Sequence, residues 1–466
     1  MHKSLQERMN KEGYNKLSID LFSGPGGLCT GFKWGGILPL IAVEWTDTTV
    51  KTYSLSHNAE VFELNKYIVD NKKNQEYFDS FARESTQTLL IHGDINLVDS
   101  EMIKKLLLTR YGIDSKKETI DIVTGGAPCE SFSMAGKRIA GDKRDDLFYN
   151  ILRISRTVNS KMILFENVKG IFSKKKNGIK GAIFKYICDS FEDKKVFPNY
   201  NLVSREQDKI LLKACDYGVP QVRERLFLVA IRSDLKDVKF KYPEKEYGPG
   251  RKYPYVTVKD ALSDLPFVVS GEESVSYRSL KNYDNNNQKR FVSIVRGEIL
   301  DNKINAKIPQ YLLNNGKYST SSISCHKGPG HVKRKQELLA LIAEKETMKT
   351  TFDKLTKEGK IAEFRHLFPR VIYASRNRRL INEEPSFTVT SHCLDEILHP
   401  SINRAITPRE AARLQSFPDW YQFEGPYVQF HGSKEQDKYE QIGDAIPPLL
   451  AYALAKEIVK TLKDIK

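Results

Sequence analysis

Six short apolar runs recur through the first half of the chain, and longer polar or amphipathic segments separate them. The runs lie at 17–22, 38–44, 88–92, 120–124, 161–166 and 226–231. Apolar strands joined by helix-length connections are typical of a parallel sheet with helices on both faces. The pattern therefore predicts an α/β fold with a doubly wound, mostly parallel sheet.

The character of the sequence changes after about residue 240. A linker rich in Pro and Gly lies at 243–252. The stretch from there to about residue 379 is irregular, polar and basic, with one helix predicted at about 334–355. A final helix begins at Pro448 and carries an apolar stripe. Because 466 residues exceed one ordinary domain, we predict a second, smaller and irregular lobe.

The charge balance favours a polyanionic partner. Lys and Arg total 74 against 59 Asp and Glu, which gives a net charge of +15. Each phosphate that a basic surface neutralises releases counterions, so this excess favours nucleic acid. A basic surface that only keeps the protein in solution is the alternative interpretation.

The six cysteines are scattered and form no Cys-x-x-Cys pair, so we expect neither a disulfide framework nor a metal site. The first residues lack the apolar core of a signal peptide, and no apolar run is long enough to span a bilayer. These features favour a cytoplasmic protein that makes no use of a membrane.

One cysteine follows a predicted strand directly. The segment 125–129 (Gly-Gly-Ala-Pro-Cys) breaks the strand at 120–124 and places Cys129 in a turn at its carboxyl end. Open α/β sheets bind ligands at this end of their strands. A thiol there is a nucleophile when its pKa is lowered. The alternative is a buried core cysteine, because free cysteine is among the most buried residue types.

A glycine-rich turn at 23–27 (Ser-Gly-Pro-Gly-Gly) joins the first strand to a predicted helix and lets the backbone approach a ligand closely. Glu44 ends the second strand, where a carboxylate can bind the ribose diol of a nucleoside cofactor. The spacing is not Gly-x-Gly-x-x-Gly, and Pro25 suits a pyrophosphate poorly. The pattern favours a nucleoside cofactor without a diphosphate over NAD. Asp94 is a candidate for binding the adenine amino group or for capping a helix.

Two further polar groups follow or precede predicted strands. Glu166 ends the strand at 161–166, next to the expected position of Cys129, where partial burial would raise its pKa into the range of a proton donor. Alternation places Gln221, Arg223 and Arg225 on one face before the last strand. The alternatives are a turn-capping Glu and solvated edge charges.

Taken together, these segments resemble the cytosine-C5 DNA methyltransferase family. Six segments are similar to its motifs, in the family's order: 20–27, 128–133, 166–168, 221–225, Arg404 with 407–418, and 441–448. Asp444 stands where the family commonly has Asn. The segments at about 60–87 and 240–400 carry little resemblance.

The resemblance implies S-adenosyl-L-methionine as the methyl donor and double-stranded DNA as the substrate. It implies that Cys129 adds to C6 of a flipped cytosine, that Glu166 bonds N3 and that Arg223 holds O2. The implied cofactor-binding residues are Phe22, Ser23, Gly24, Gly26, Gly27, Glu44, Trp45, Asp94, Ile95, Pro128, Asp444 and Ala445. The candidate DNA contacts are Gln221, Arg225, Arg376, Arg378 and Arg379.

The same resemblance implies the domain organisation. Residues 1–240 would form the catalytic and cofactor-binding lobe. Residues 241–435 would form a target-recognition lobe that includes a scaffold helix near 407–417. Residues 436–466 would supply a C-terminal helix that completes the catalytic lobe.

Several other functions are considered on the sequence. A zinc nucleobase deaminase needs Pro-Cys-x-x-Cys, but Phe132 occupies the second Cys position. An NAD-dependent oxidoreductase, or a DNA-binding protein without catalysis, leaves Cys129 and Glu166 unexplained. A tRNA cytosine-5 methyltransferase of the same family is the alternative that remains. We expect a bacterial, nucleoid-associated monomer that protects DNA from a cognate restriction endonuclease.

Overall fold

The computed structural model describes residues 1–127, 147–176, 178–277, 283–298, 304, 306–314, 322–429, 435–463 and 465. The chain divides into two compact units. The first comprises 1–213, 224–244 and 451–466, and the second comprises 214–223 and 245–450. Three segments therefore differ from the sequence prediction: 214–223 and 436–450 belong to the second unit, and 241–244 belong to the first.

The first unit is built on a nine-stranded sheet. Its strands are β1 Lys16–Leu21, β2 Ile37–Glu44, β3 Glu60–Glu63, β4 Leu89–His92, β5 Ile122–Gly125, β6 Met162–Val168, β7 Tyr200–Leu202, β8 Leu211–Lys213 and β9 Glu224–Arg232. The spatial order is β7-β9-β6-β5-β1-β2-β4-β3, and β8 also pairs with β9. All pairs from β6 to β3 are parallel, whereas β9 runs antiparallel to its three neighbours. The predicted α/β fold with a mostly parallel sheet is confirmed.

The register of the central strands aligns their carboxyl ends. Leu21 of β1 lies opposite Gly125 of β5, which in turn lies opposite Phe165 of β6. Almost all residues of β1, β2, β5 and β6 are buried, as expected for parallel strands covered on both faces. The polar residues that follow these strands are therefore brought to one edge of the sheet.

Helices flank this sheet. They are α1 Lys3–Glu12, α2 Gly27–Trp34, α3 Asp47–His57, α4 Ser100–Tyr111, α5 Leu147–Thr157 and α6 Ala182–Phe191. Shorter helical segments lie at Leu64–Tyr67, Gln75–Phe81, Ile95–Leu97, Lys169–Ser173 and Gln207–Ile210. Two-residue strands pair Ile68–Val69 with Lys72–Lys73 and Lys175–Lys176 with Ile179–Lys180.

The second unit has short helices and little sheet. Its helices are α7 Val258–Leu262, α8 Asn286–Arg296, α9 Lys333–Leu341, α10 Met348–Lys357, α11 Pro408–Leu414 and α12 Lys438–Asp444, with shorter segments at Ala214–Tyr217, Gln310–Asn314, Ile361–Phe364, Arg365–Leu367 and Cys393–Glu396. Two-residue strands pair Gln221–Val222 with Ser386–Phe387 and Arg378–Arg379 with Ile397–Leu398.

The final helix, α13, spans Pro448–Lys463, as predicted from Pro448 onward. Its residues from Ala451 belong to the first unit. There the Lys16 ammonium donates to the Leu462 carbonyl at 3.1 Å, which ties the helix to the start of β1. None of the described helices combines the length and the apolar character needed to cross a membrane.

The single helix predicted at about 334–355 is wrong, because the structure has two helices there, α9 and α10. Ile342, directly after α9, has an extended backbone with φ of −83° and ψ of 106°, which ends the first helix. Thr347 then caps α10 by accepting from the Thr350 N–H at 3.1 Å. The Thr350 hydroxyl in turn accepts from the Thr347 N–H at 2.8 Å, so the two side chains form a capping box.

Buried ion pairs hold the second unit together around α11. The Arg404 guanidinium donates to both oxygens of Glu410 at 2.7 Å, and both side chains are buried. Arg413 donates to Asp264 at 2.8 Å and to Asp419 at 2.6 Å. Burial raises the pKa of Glu410, but the Arg404 guanidinium outweighs that effect and holds the pKa well below its usual range.

We predict that Glu410→Gln strongly destabilises the protein, by roughly 3–5 kcal/mol, because it leaves the buried Arg404 charge uncompensated. A carboxylate with a lowered pKa contributes stability that is present above about pH 4.5 and is lost as the pH falls through its folded pKa. Urea unfolding at pH 7 and at pH 3 measures both effects, and the gap between wild type and variant should narrow at pH 3. The exposed Glu358→Gln is the control. A variant as stable as wild type at pH 7 would contradict the prediction.

Candidate active site

The end of β6 lies beside the segment that leads to the predicted nucleophile. Asn167 donates from its side chain to the Ala127 carbonyl at 3.1 Å. A Cβ added at Gly126 would lie 2.7 Å from Glu166 Oε2, so a larger residue there would displace this carboxylate. Pro128 and Cys129 lie outside the described residues. The chain just before them is thus held against Glu166 and Asn167.

Glu166 forms an ion pair with Arg225. Arg225 Nε lies 3.2 Å from Glu166 Oε1, and each side chain is only about 15% exposed, at 15% and 16%. Adjacent antiparallel strands supply the two residues, since β9 pairs with β6 and Arg225 lies opposite Val168. A carboxyl and a guanidinium at one strand end can together hold the polar edge of a planar base.

Arg223 has a different role from the one predicted. It belongs to the second unit and is completely buried. Its guanidinium donates to the Val389 and Gly443 carbonyls, both at 2.7 Å. This corrects the prediction that Arg223 holds the base, because its donors are used for packing. The arginine that contacts Glu166 is Arg225.

Two of the five predicted DNA contacts are also corrected by burial in the second unit. The Gln221 side chain donates to the Leu414 carbonyl at 3.1 Å and accepts from the Val389 N–H at 2.8 Å. Arg379 is 5% exposed, and its guanidinium donates to backbone carbonyls that include those of Leu339 and Ile342. Both side chains are committed to the fold, so neither is available for DNA.

Arg376 and Arg378, by contrast, are exposed. Arg378 stacks 4.2 Å from the centre of the Phe387 ring, and Arg376 lies 4.9 Å from that of Tyr373. Aromatic support of this kind holds a guanidinium in place while its donors face outward. Arg376 also lies 3.6 Å from the Asp395 carboxylate, and contact of either arginine with DNA stays a prediction.

The glycine-rich turn after β1 is linked to the end of β2. Glu44 accepts from the Gly24 N–H at 2.9 Å and from the Thr46 N–H at 3.0 Å. Gly24 and Gly26 have φ of 54° and 94°, the left-handed region that glycine adopts without strain. The carboxylate of Glu44 is therefore fixed in place and retains lone pairs for a ribose diol. Trp45, the next residue, is 72% exposed.

The other predicted cofactor residues take distinct positions. Phe22 has a left-handed backbone, with φ of 56°, and is half-buried, while Ser23 and Gly27 are buried within the turn. Asp94 is exposed and caps the helical segment Ile95–Leu97 through the Asn96 N–H at 2.9 Å. The alternative interpretation of Asp94 as a cap therefore describes its local contact.

Ile95 is buried beside this cap. Asp444 and Ala445 lie at the end of α12 in the second unit, where Gln436 donates to Asp444 at 3.1 Å. Ile95 belongs to the first unit, whereas Asp444 and Ala445 belong to the second.

Two polar residues near the turn were missed as site candidates. His92, which ends β4, lies 2.7 Å from Glu63 and 3.0 Å from Asp47. Asp20 is 3% exposed and accepts the Thr124 hydroxyl at 2.7 Å. Burial raises the pKa of Asp20 to about 7. Their positions in the sequence could have indicated both residues, because each lies in a strand or ends one, next to a loop that is predicted to bind a ligand.

The glycine-rich turn also offers polar atoms to a ligand. Within the described residues, Asp20 Oδ2 and Ser23 Oγ are buried without a hydrogen-bond partner. Buried polar atoms normally find a partner, so these two are candidates for bonding a group at the turn. No cluster of His, Cys, Asp and Glu among these residues could hold a metal ion.

A comparison with known proteins identifies the family. The model of the C-5 cytosine-specific DNA methylases matches residues 64–460, most of the chain. The chain belongs to this family. It is a DNA cytosine-5-methyltransferase.

The methyltransferase is similar to curated type II methyltransferases. It is 29% identical to M.DdeI of Desulfomicrobium norvegicum over 94% of this chain and 88% of that protein. It is 27% identical to M.Eco47II of Escherichia coli over 96% and 79%. Among solved structures, it resembles a DNA modification methyltransferase encoded within an E. coli prophage. That likeness has 26% identity and a TM-score of 0.64, and it covers 97% of this chain and all of the other.

We predict that Asp20→Asn stabilises the methyltransferase in the absence of ligand at alkaline pH. A carboxyl group with a raised pKa in the folded state makes the protein less stable as the pH rises from about 4 to about 7. The reason is that the same carboxyl ionises at lower pH in the unfolded chain. A pKa of about 7 against 3.8 corresponds to roughly 4 kcal/mol above pH 7. Urea unfolding should show a gain of about that size at pH 8 and under about 2 kcal/mol at pH 5. The exposed Asp208→Asn is the control, and a gain that does not change with pH would contradict the assignment.

We predict opposite effects for the two arginines. Arg225→Met should lower the rate of methyl transfer about 100-fold or more while the thermal midpoint changes little, because it removes a polar contact at the site. Arg223→Met should instead lower the stability by roughly 2–4 kcal/mol, because two buried carbonyls lose their donors. Methyl incorporation and thermal unfolding of both variants decide the assignment. Severe loss of stability in Arg225→Met with normal turnover would reverse it.

Proposed function

We propose that the methyltransferase transfers a methyl group from S-adenosyl-L-methionine to C5 of a cytosine within a short, specific double-stranded DNA sequence. The observation that carries the proposal is the Glu166–Arg225 pair beside the Gly126–Ala127 segment that leads to Cys129. Cytosine C5 is a poor nucleophile, so its activation needs both a nucleophile for C6 and groups that stabilise charge on the ring.

In this mechanism the Cys129 thiolate adds to C6, and the ring electrons move toward N3 and C5. Glu166 bonds N3 and supplies a proton there, which prevents negative charge from accumulating in the ring. Arg225, which pairs with Glu166, would bond the O2 side of the base. C5 can then accept the methyl group, after which loss of the C5 proton expels the Cys129 thiolate and the N3 proton returns to Glu166.

The glycine-rich turn is the proposed binding site of the methyl donor. S-adenosyl-L-methionine would supply an electrophilic methyl group on a sulfonium centre. The proposed ligands are Glu44 for the ribose, Trp45 and Phe22 for the adenine ring, and Ile95 for its edge. Ser23 Oγ and Asp20 Oδ2 are polar atoms that the donor could satisfy. Gly24, Gly26 and Gly27 let the backbone approach the donor, and Asp444 and Ala445 remain candidates from their sequence position.

The target base must leave the duplex, because C5 and C6 are stacked inside it. Unstacking costs a few kcal/mol, which contacts to the DNA backbone have to offset. We propose that the second unit carries target recognition and that the exposed Arg376 and Arg378 contact DNA. The excess of 74 Lys and Arg over 59 Asp and Glu supports binding to a polyanion.

The names of the similar proteins support a biological role. M.DdeI and M.Eco47II are both type II methyltransferases. We propose that this enzyme likewise belongs to a restriction–modification system, works as a monomer at the bacterial nucleoid and protects DNA from a cognate endonuclease. The alternative is a tRNA substrate, which the same catalytic groups would serve.

Covalent trapping tests the chemistry. An oligonucleotide with 5-fluorocytosine at the target position should form a stable conjugate with the wild type when the donor is present, because fluorine cannot leave as a proton does. Cys129→Ser should form none. Glu166→Gln should lose methyl transfer by about 100-fold or more, whereas Glu224→Gln, which removes a partly exposed carboxylate nearby, should keep it. Turnover in Cys129→Ser at the wild-type level would exclude this mechanism.

Bisulfite sequencing tests the substrate. DNA from cells that express the enzyme should show 5-methylcytosine at one fixed short sequence, and tRNA from the same cells should show no new methylation. Methylation of tRNA alone would favour the alternative. Digestion of the same DNA by candidate endonucleases tests protection.

A further inference from the structure

A cluster of buried polar side chains from α2 and α3 contacts the glycine-rich turn. It consists of Cys29 and Lys33 from α2 and Tyr53 and His57 from α3, and we call it the loop-support cluster. Cys29, Tyr53 and His57 are each at most 2% exposed. None of these four side chains has a part in the proposed chemistry. Polar side chains this deeply buried are costly unless each one is paired.

His57 connects the cluster to the turn. Its Nε2 lies 3.2 Å from the Gly26 carbonyl oxygen. Its Nδ1 lies 3.2 Å from Lys33 Nζ and 3.5 Å from Cys29 Sγ. The Tyr53 hydroxyl donates to Cys29 Sγ at 3.3 Å. The imidazole thus bridges a backbone carbonyl and a lysine.

The partners of His57 determine its tautomer. A carbonyl only accepts, so Nε2 must carry the hydrogen that bonds Gly26. An ammonium only donates, so Nδ1 must accept from Lys33. Burial first, and then the nearby Lys33 charge, hold the pKa of His57 well below its usual value, so the ring is neutral. Lys33 and the Gly26 carbonyl therefore favour the same neutral tautomer, the one that donates to the turn.

The bond to Gly26 controls the orientation of one peptide group. The Gly26 carbonyl and the Gly27 N–H belong to the same trans peptide and point in opposite directions. The carbonyl accepts from the Thr30 N–H and the Thr30 hydroxyl, both at 2.9 Å, as well as from His57. With the carbonyl held inward, the Gly27 N–H points outward from the start of α2.

His57 adds a third bond to a peptide that has glycine on both sides and that the Thr30 N–H and hydroxyl also hold. Gly26 already has a left-handed φ of 94°, and Gly27 is the first residue of α2. Glycine adopts positive and negative φ angles with similar ease, so steric effects alone do not select one orientation of the peptide. An N–H in the first turn of a helix has no acceptor within the helix and favours an anionic ligand group.

We propose that His57 is a positioning residue for the methyl donor. By donating to the Gly26 carbonyl, in the tautomer that Lys33 favours, it directs the Gly27 N–H toward the carboxylate of the donor's methionine part. The inference rests on the proposed function, since it assumes that the turn binds this donor. His57 acts through the peptide and does not touch the donor itself.

Binding of S-adenosylhomocysteine, measured by calorimetry, tests the proposal. His57→Phe keeps a ring but removes the donor, and it should weaken binding about 5- to 10-fold, the size expected for one hydrogen bond. His57→Gln places an amide N–H at a similar reach and should restore affinity to within about threefold of wild type. Tyr53→Phe removes a buried hydroxyl from the same cluster without touching Gly26, so it should bind like wild type even if its thermal midpoint falls.

The outcomes separate the two proposals. A wild type that does not bind S-adenosylhomocysteine would overturn the proposed function. A wild type that binds, with His57→Phe binding equally well, would overturn the role of His57. Equal weakening in His57→Phe and Tyr53→Phe, in proportion to their thermal midpoints, would assign the cluster to stability alone and also overturn it.

The tautomer provides a second test that needs no ligand. Nitrogen-15 chemical shifts of the His57 ring should report hydrogen on Nε2 in the wild type. Lys33→Met should shift the ring toward the other tautomer and weaken S-adenosylhomocysteine binding by about threefold, a fraction of one hydrogen bond. An unchanged tautomer and affinity in this variant would show that Lys33 does not fix the histidine.

Discussion

The parallel register of β1, β5 and β6 is the constraint on which the site depends. Leu21, Gly125 and Phe165 lie side by side at the carboxyl ends of these strands. Parallel strands are buried on both faces, so polar residues are excluded from them and collect in the loops that follow. One register therefore brings the glycine-rich turn, the approach to Cys129 and Glu166 to the same edge.

Backbone contacts then set the fine geometry at this edge. The Glu44 carboxylate accepts a hydrogen bond from the Gly24 N–H, and the Asn167 side chain donates one to the Ala127 carbonyl. Each is a side chain at the end of one strand that bonds the backbone following another. Such bonds fix loops that would otherwise be the most variable part of the fold. Preorganised polar groups are what a site needs, since they cost no reorganisation at the moment of reaction.

The second unit obtains its order in another way. Its helices are short, and its described strands are only two residues long. Among the described residues of both units, the largest fully buried side chains include five arginines: Arg110, Arg223, Arg404, Arg409 and Arg413. Four of them belong to the second unit. A buried guanidinium demands several acceptors in fixed directions, so it selects one arrangement of irregular chain. Arginine thus serves packing in this unit as well as any contact with DNA.

The sequence alone determined the α/β class, the central strands, the final helix and the family, because apolar periodicity and motif spacing are local properties of the chain. It missed β3, β7 and β8, which have three or four residues each and include charged or polar side chains. Only the tertiary structure decided which arginine meets Glu166. Alternation places Arg223 and Arg225 on one face, but β9 begins between them, at Glu224. Arg225 therefore pairs with Glu166, whereas Arg223 is buried among carbonyls that come from residues more than 160 positions away. No local pattern contains those acceptors, since long-range packing supplies them.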